Sequence, residues 1–146
     1  RTAQLVAENP GPWILWCGLN DEAKRLADLT AGLNIHGAMS PDEKAAALLG
    51  FADGDHQIII TKPGIAAQGL NYQHCARMAF VGINDSFEQY YQSIRRCYRF
   101  GQQRIVRAHV VVSQIESQIA TNVARKEKQA NRIVDAMIRH TRSHAA

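Results

Sequence analysis

No apolar run in the 146 residues approaches the roughly 20 needed to cross a bilayer. The N-terminus also lacks the charged, apolar and small-residue series of a signal peptide. The expectation is a soluble intracellular protein, cytoplasmic in a bacterium or phage-infected cell and nuclear in a eukaryote. Cysteine is scarce: Cys17, Cys75 and Cys97 make an odd set with no C-x-x-C pair, which disfavours both a disulfide framework and a zinc site. Proline is scarce too, at four residues, and with 46% hydrophobic and 21% charged residues the composition is that of a folded globular chain rather than a disordered or fibrous one. Neither a G-x-x-x-x-G-K-[ST] phosphate loop nor a G-x-G-x-x-G dinucleotide fingerprint is present; Gly18 alone follows the first strand candidate.

Apolar runs of four to eight residues are present, and they alternate with stretches of helical patterning. The strand candidates are Pro12 to Cys17, Leu33 to Gly37, His56 to Thr61, Arg77 to Gly82 and Arg104 to Val112. Several are too uniformly apolar for a sheet with one wet face, so a mainly parallel sheet covered on both sides is expected. Asn20 or Asp21 can cap a helix to about Leu29. Ser40, Pro41 and Glu43 read as N-cap, first helical proline and capping-box partner of a helix to about Phe51. A third helix is predicted from Asp85 or Ser86 through the arginines at 95–99, and a long basic one from about Gln114 to Arg139. The fold class implied is an α/β three-layer sandwich. Residues 1–146 read as one domain, with 114–142 a basic helical extension. Because the chain opens on Arg1 and the first strand follows almost at once, a piece of a longer polypeptide is expected.

The net charge of +4 is unevenly spread. Arg1 to Ile94 carries six Lys or Arg against ten Asp or Glu, and Arg95 to Ala146 carries eleven against three. A mildly acidic body with a basic C-terminal third suits a polyanionic partner such as nucleic acid, although a solvated basic helix explains the charge equally well.

Two segments carry chemistry. Thr61 to Cys75, TKPGIAAQGLNYQHC, begins at the carboxyl end of a predicted central strand, where ligands gather in open α/β sheets. Gly64 and Gly69 leave backbone N–H groups accessible, and Thr61, Gln68 and Asn71 add short polar side chains; ordinary turn chemistry accounts for such a loop as well. Gln89 to Gln103, QYYQSIRRCYRFGQQ, places Gln92, Arg96 and Arg99 four and then three residues apart, on one face if the segment is helical. Guanidinium forks match phosphate oxygens. Exposed arginines paired with Asp85, Glu88 or solvent are the other reading.

Together the two segments resemble motifs V and VI of superfamily-two helicases, and most closely those of Swi/Snf-like ATPases. Gln92, Arg96, Arg99, Gly101 and Gln102 match the pattern Q-x-x-x-R-x-x-R-x-G-Q, and Ala66 to Asn71, AAQGLN, resembles the fifth motif about twenty residues earlier. The resemblance covers nearly all of Pro12 to Gln114. It departs at Ala66 or Ala67, where glycine is usual, and at Arg95, where an acidic residue is common.

The resemblance implies a RecA-like fold forming the second motor lobe of a nucleic-acid-dependent ATPase, helicase or translocase. Arg99 is then the principal arginine finger on the ATP phosphates, Arg96 its companion, and Gln92 an orienting residue. Gln68, Gly69 and Asn71 would sense nucleotide, whereas Thr61, Lys62 and Gly64, with Arg125 and Lys128 of the basic helix, would face nucleic acid. DNA is the expected partner, RNA the other choice, and no membrane is implied. ATP and Mg2+ are implied for the full-length protein, none for this lobe alone: Asp21-Glu22 and Asp42-Glu43 begin helices and do not form the acidic magnesium motif. A first lobe elsewhere in the polypeptide is required, and without it the chain should hydrolyse no ATP. The alternative is a noncatalytic nucleic-acid-binding module on a degenerate motor fold.

The remaining candidates read as packing or surface residues. His36, His56, His74 and His109 are scattered, and His140 and His144 sit near the C-terminus, so no metal site is expected. Trp13 and Trp16 read as strand packing residues, and core packing is the default for Tyr90, Tyr91 and Tyr98.

Overall fold

In the computed structural model, which describes residues 1–66, 71–82, 87–112 and 121–132, the apolar runs form one five-stranded sheet. The strands are β1 (Trp13–Cys17), β2 (Leu33–Ile35), β3 (Ile58–Thr61), β4 (Arg77–Val81) and β5 (Arg107–Val111). Their spatial order is β2-β3-β1-β4-β5, and every pairing is parallel. The helices are α1 (Thr2–Glu8), α2 (Asn20–Thr30), α3 (Pro41–Asp53) and α4 (Phe87–Arg95), followed by α5 over 121–132.

Period-two alternation in β1 assigns its side chains to two cores. Ile14 and Trp16 point to one face, where Ile59, Met78 and Phe80 meet Ala47, Leu48 and Phe51 of α3. Trp13, Leu15 and Cys17 point to the other, where Ile60 and Ala79 meet Val6 of α1 and Ala23 and Leu26 of α2. All five β1 residues are buried, because both faces of the sheet are covered. Both tryptophans are therefore packing residues, with Trp16 stacked on Phe80 at 6.2 Å between ring centroids.

Local signals account for the starts of α2 and α3. The capping box of α3 forms as expected, with Glu43 N–H donating to Ser40 Oγ at 3.2 Å and Ser40 N–H to Glu43 Oε2 at 2.7 Å. These bonds hold the Glu43 carboxyl below the usual carboxylate range. In α2 the N-cap is Leu19, one residue earlier than expected, because Glu22 Oε2 accepts from its backbone N–H at 3.2 Å. Helix α1 went unforeseen: only seven residues long, it has no capping side chain or acidic first turn to mark it. Among the described residues no helix is long and apolar enough to cross a membrane. The expected starts of the third helix at Asp85 or Ser86 and of the last at Gln114, and the ends of the 114–142 extension, lie outside the described residues.

One expectation is overturned. Helix α4 ends at Arg95, so it does not run through the arginine cluster. The Arg96 carbonyl, which would accept a bond within a continuing helix, instead accepts from Tyr72 N–H at 3.0 Å. Cys97 is buried in the core as a free thiol, in the same cluster as Cys75. Tertiary contacts thus terminate a helix whose local sequence would carry it further.

Candidate functional site

Thr61, Lys62, Gly64, Gln92 and Arg96 line two pockets at the carboxyl ends of β1 and β3. Strand β3 ends at Thr61, and the turn at Lys62 to Ala66 is closed by Ile65 N–H donating to the Lys62 carbonyl at 3.0 Å. Thr61 is buried, and its hydroxyl donates to the Ile35 carbonyl at 3.1 Å, tying β3 to β2. The Thr61 hydroxyl is thus committed to the sheet, although Thr61 still lines the groove at the carboxyl end of β3, where Lys62 follows it. A groove of about 570 Å³ opens there, with Asn20, Lys24, His36, Gly37 and Lys62 among its walls.

A second pocket, of about 350 Å³, joins the two motif segments. Its walls include Trp16, Pro63, Gly64 and Ala66 on one side and Gln92 and Arg96 on the other. The indole nitrogen of Trp16 is buried there with no hydrogen-bond partner among the described residues. Gln92 is exposed and Arg96 half-buried. Arg95 points elsewhere, its guanidinium 5.7 Å from the centre of the Tyr91 ring.

Arg99 is exposed but does not line this pocket, and it lies beyond the end of α4. The shared helical face expected for Arg96 and Arg99 is corrected accordingly: irregular backbone presents the second arginine. That backbone is nonetheless well bonded, with Arg99 N–H donating to the Cys97 carbonyl at 3.2 Å and Gln102 N–H to the Arg99 carbonyl at 3.0 Å. Gly101 has φ +94°, a conformation that L side chains rarely adopt, and turns the chain after Phe100. Phe100 is fully exposed beside Arg99.

The segment following the β3 loop supports the arginine turn from below. Asn71 is exposed at its start, whereas Gln68 and Gly69 lie outside the described residues. Tyr72 is fully buried, with its ring 5.2 Å from that of Phe51 in an edge-on arrangement. Burial pushes the Tyr72 phenol up to about 12, and the nearby Arg96 charge offsets part of that rise. Sequence reasoning assigned no role to Tyr72, Gln73 or Cys75. Their spacing carries no signal, since each acts on a partner more than twenty residues away.

Helix α5 belongs to the same side of the sheet. Val123 is buried in the core that holds α3, and the Glu127 charge acts on Tyr90 of α4. Arg125, Lys128 and Arg132 are exposed. Among the described residues no group of three His, Cys, Asp or Glu side chains could hold a metal ion.

His74 yields a pH prediction. Its Nε2 is buried without a partner among the described residues, and burial, assisted by the Arg104 charge, holds the imidazole below its ordinary value of 6.5. The unfolded chain therefore binds the proton more readily than the folded one. The stability contributed by neutral His74 is complete above pH 6.5 and is lost as the pH falls below it. The urea midpoint should drop between pH 7 and pH 5.5, and His74→Gln should flatten that slope. An equally steep slope in the variant would assign the effect to other groups.

The family described as helicase conserved C-terminal domain matches residues 5–101. The chain belongs to that family. No curated protein matches it. Among solved structures, the C-terminal helicase domain described here is similar to the crystal structure of the C-terminal part of the Fun30 ATPase domain. That match has a TM-score of 0.69 at 14% identity and covers 84% of this chain and 43% of the other. It is also similar to the crystal structure of a DEAD box protein from the hyperthermophile Methanococcus jannaschii. There the TM-score is 0.73 at 17% identity, with 87% of this chain and 36% of the other covered. The chain thus spans less than half the length of either structure. The RecA-like α/β architecture is shared with both.

Proposed function

We propose that this helicase C-terminal domain is the second motor lobe of a nucleic-acid-dependent ATPase. In this reading Arg96 and Arg99 reach ATP held by a first lobe elsewhere in the polypeptide. The observation that carries the proposal is the pocket in which Gln92 and Arg96 face Gly64 and Ala66 at the carboxyl ends of β1 and β3.

Arginine suits this task because its planar fork donates two parallel bonds to phosphate oxygens and keeps its charge at any working pH. Phosphoryl transfer depends mainly on positioning and on stabilising charge as it develops. Arg96, half-buried at the pocket wall, offers a fixed charge. Arg99, exposed on a bonded turn, can cross a cleft to a phosphate on the partner lobe. Gln92 orients the groups within the pocket, and Asn71, with Gln68 and Gly69, senses nucleotide from the loop. In this reading the Mg2+ that accompanies ATP is held by the first lobe. Lys62 and Gly64 beyond the carboxyl end of β3, and Arg125 and Lys128 on α5, supply contacts to a nucleic-acid backbone, with DNA the favoured partner.

The test uses the polypeptide complete with its first lobe. Arg96→Ala should lower DNA-stimulated ATP turnover by about 10²-fold, the scale of removing one group that stabilises developing charge. Turnover equal to wild type in a folded Arg96→Ala protein would overturn the assignment.

A further inference from the structure

We infer that Gln102 is a positioning residue that holds the arginine turn and couples it to the segment Tyr72 to Cys75; this rests on the function proposed above. The Gln102 carboxamide lies at a convergence of backbone groups. Its Nε2 donates toward the carbonyls of Gln73 at 2.9 Å, Cys75 at 3.2 Å and Cys97 at 3.2 Å. Its Oε1 accepts from Arg104 N–H at 3.0 Å. An amide nitrogen carries two hydrogens, so three carbonyls share them, and only a donor fits that position.

Both arginines are tied to the same assembly through their backbones. The Arg99 carbonyl accepts from Gln102 N–H, and the Arg96 carbonyl accepts from Tyr72 N–H, each at 3.0 Å. Gln73 completes the clasp in the other direction, its side-chain nitrogen donating to the Phe100 carbonyl. Space is tight: a Cβ on Gly101 would lie 3.1 Å from that same Gln73 nitrogen. Tyr72 to Cys75 lies between the turn at Lys62 to Ala66 and β4 in sequence. A displacement of Tyr72 to Cys75 therefore acts on Arg96 directly through the Tyr72 N–H, and on Arg99 through Gln102, by hydrogen bonds rather than through the sheet.

Three substitutions in the two-lobed polypeptide test the coupling. Gln102→Glu replaces the donor with an acceptor facing three acceptors, and Gln102→Met keeps the length without either polar group. Each should lower the DNA-stimulated kcat at least about 10-fold, the scale of a misplaced catalytic group. The KM for ATP and the Kd for a duplex oligonucleotide should stay within about 2-fold of wild type, and the ratio of stimulated to unstimulated turnover should fall. If both Gln102 variants fail to fold, Gln73→Ala removes the return bond to Phe100 and should give a smaller loss of the same kind. Wild-type turnover would overturn the inference. So would stimulated and unstimulated rates that fall by one common factor together with the melting temperature, since Gln102 would then be a structural prop alone. Arg99→Ala separates the two levels. If that variant is inactive while the Gln102 variants behave as wild type, the clasp is wrong and the motor assignment stands; if Arg99→Ala is fully active, the motor assignment itself fails.

Discussion

Arg99→Ala, in the polypeptide carrying both lobes, is expected to reduce DNA-stimulated ATP turnover by roughly 10³-fold or more, the range attributed to arginine fingers. That factor corresponds to about 4 kcal/mol of transition-state stabilisation. The measurement is clean because Arg99 is exposed and its side chain packs into neither core, so the domain should keep its stability to within about 0.5 kcal/mol. DNA affinity should change little, since the expected role is on phosphate across the cleft. Arg99→Lys should recover only part of the rate, because a single ammonium replaces a two-pronged fork. Steady-state turnover with saturating DNA, together with anisotropy of a labelled duplex, distinguishes the outcomes. If DNA binding collapses while turnover per bound complex survives, Arg99 is a nucleic-acid contact and the finger assignment is wrong.

The second large effect concerns stability. Phe51→Ala should destabilise the domain by about 3 to 5 kcal/mol, the usual result of truncating a buried aromatic side chain. Set against a typical total of about 5 to 15 kcal/mol, the loss leaves a marginal fold. Phe51 is fully buried at the end of α3, with Tyr72 at 5.2 Å and His74 at 4.8 Å between ring centroids. The same substitution therefore removes the support beneath the Tyr72 to Cys75 segment that carries the Gln102 clasp. Urea denaturation should show a markedly lower midpoint, while Leu49→Ala, on an exposed position of the same helix, should barely move it. A loss below about 1 kcal/mol would mean that the neighbouring rings refill the space.

The two proposals make opposite demands on the molecule. A finger must be exposed to reach another lobe, yet its backbone must be held firmly for the reach to be reproducible. Arg99 meets both demands through the Gln102 N–H and the unusual Gly101 backbone, with its side chain free of the core. Arg96 meets them differently, half-buried at a pocket wall with its carbonyl committed to Tyr72.

Much of the fold was legible from residue patterns. The uniformly apolar Pro12 to Cys17 run announced a strand buried on both faces, and Ser40, Pro41 and Glu43 announced the start of α3; both are found. These signals are local, since side-chain alternation and capping involve residues at most a few positions apart. The family membership was legible for the related reason that the motif residues recur at fixed short spacings. The end of α4 was not legible. QSIRRCYR has nothing in it that breaks a helix, and the Tyr72 amide that takes the Arg96 carbonyl is far away in sequence.

The amino-acid sequence by itself determined the alternation of strands and helices, the two-sided burial of the sheet and the identity of the residues at the motif positions. Tertiary structure alone decided how those residues are presented: Thr61 turned inward to Ile35, Arg96 set into a pocket wall, and Arg99 carried off the helix on a bonded turn. The physical reason is range. Periodicity acts over a few residues, whereas the hydrogen bond from Gln102 to the Gln73 carbonyl joins positions 29 apart, and only the packed chain brings such groups within reach.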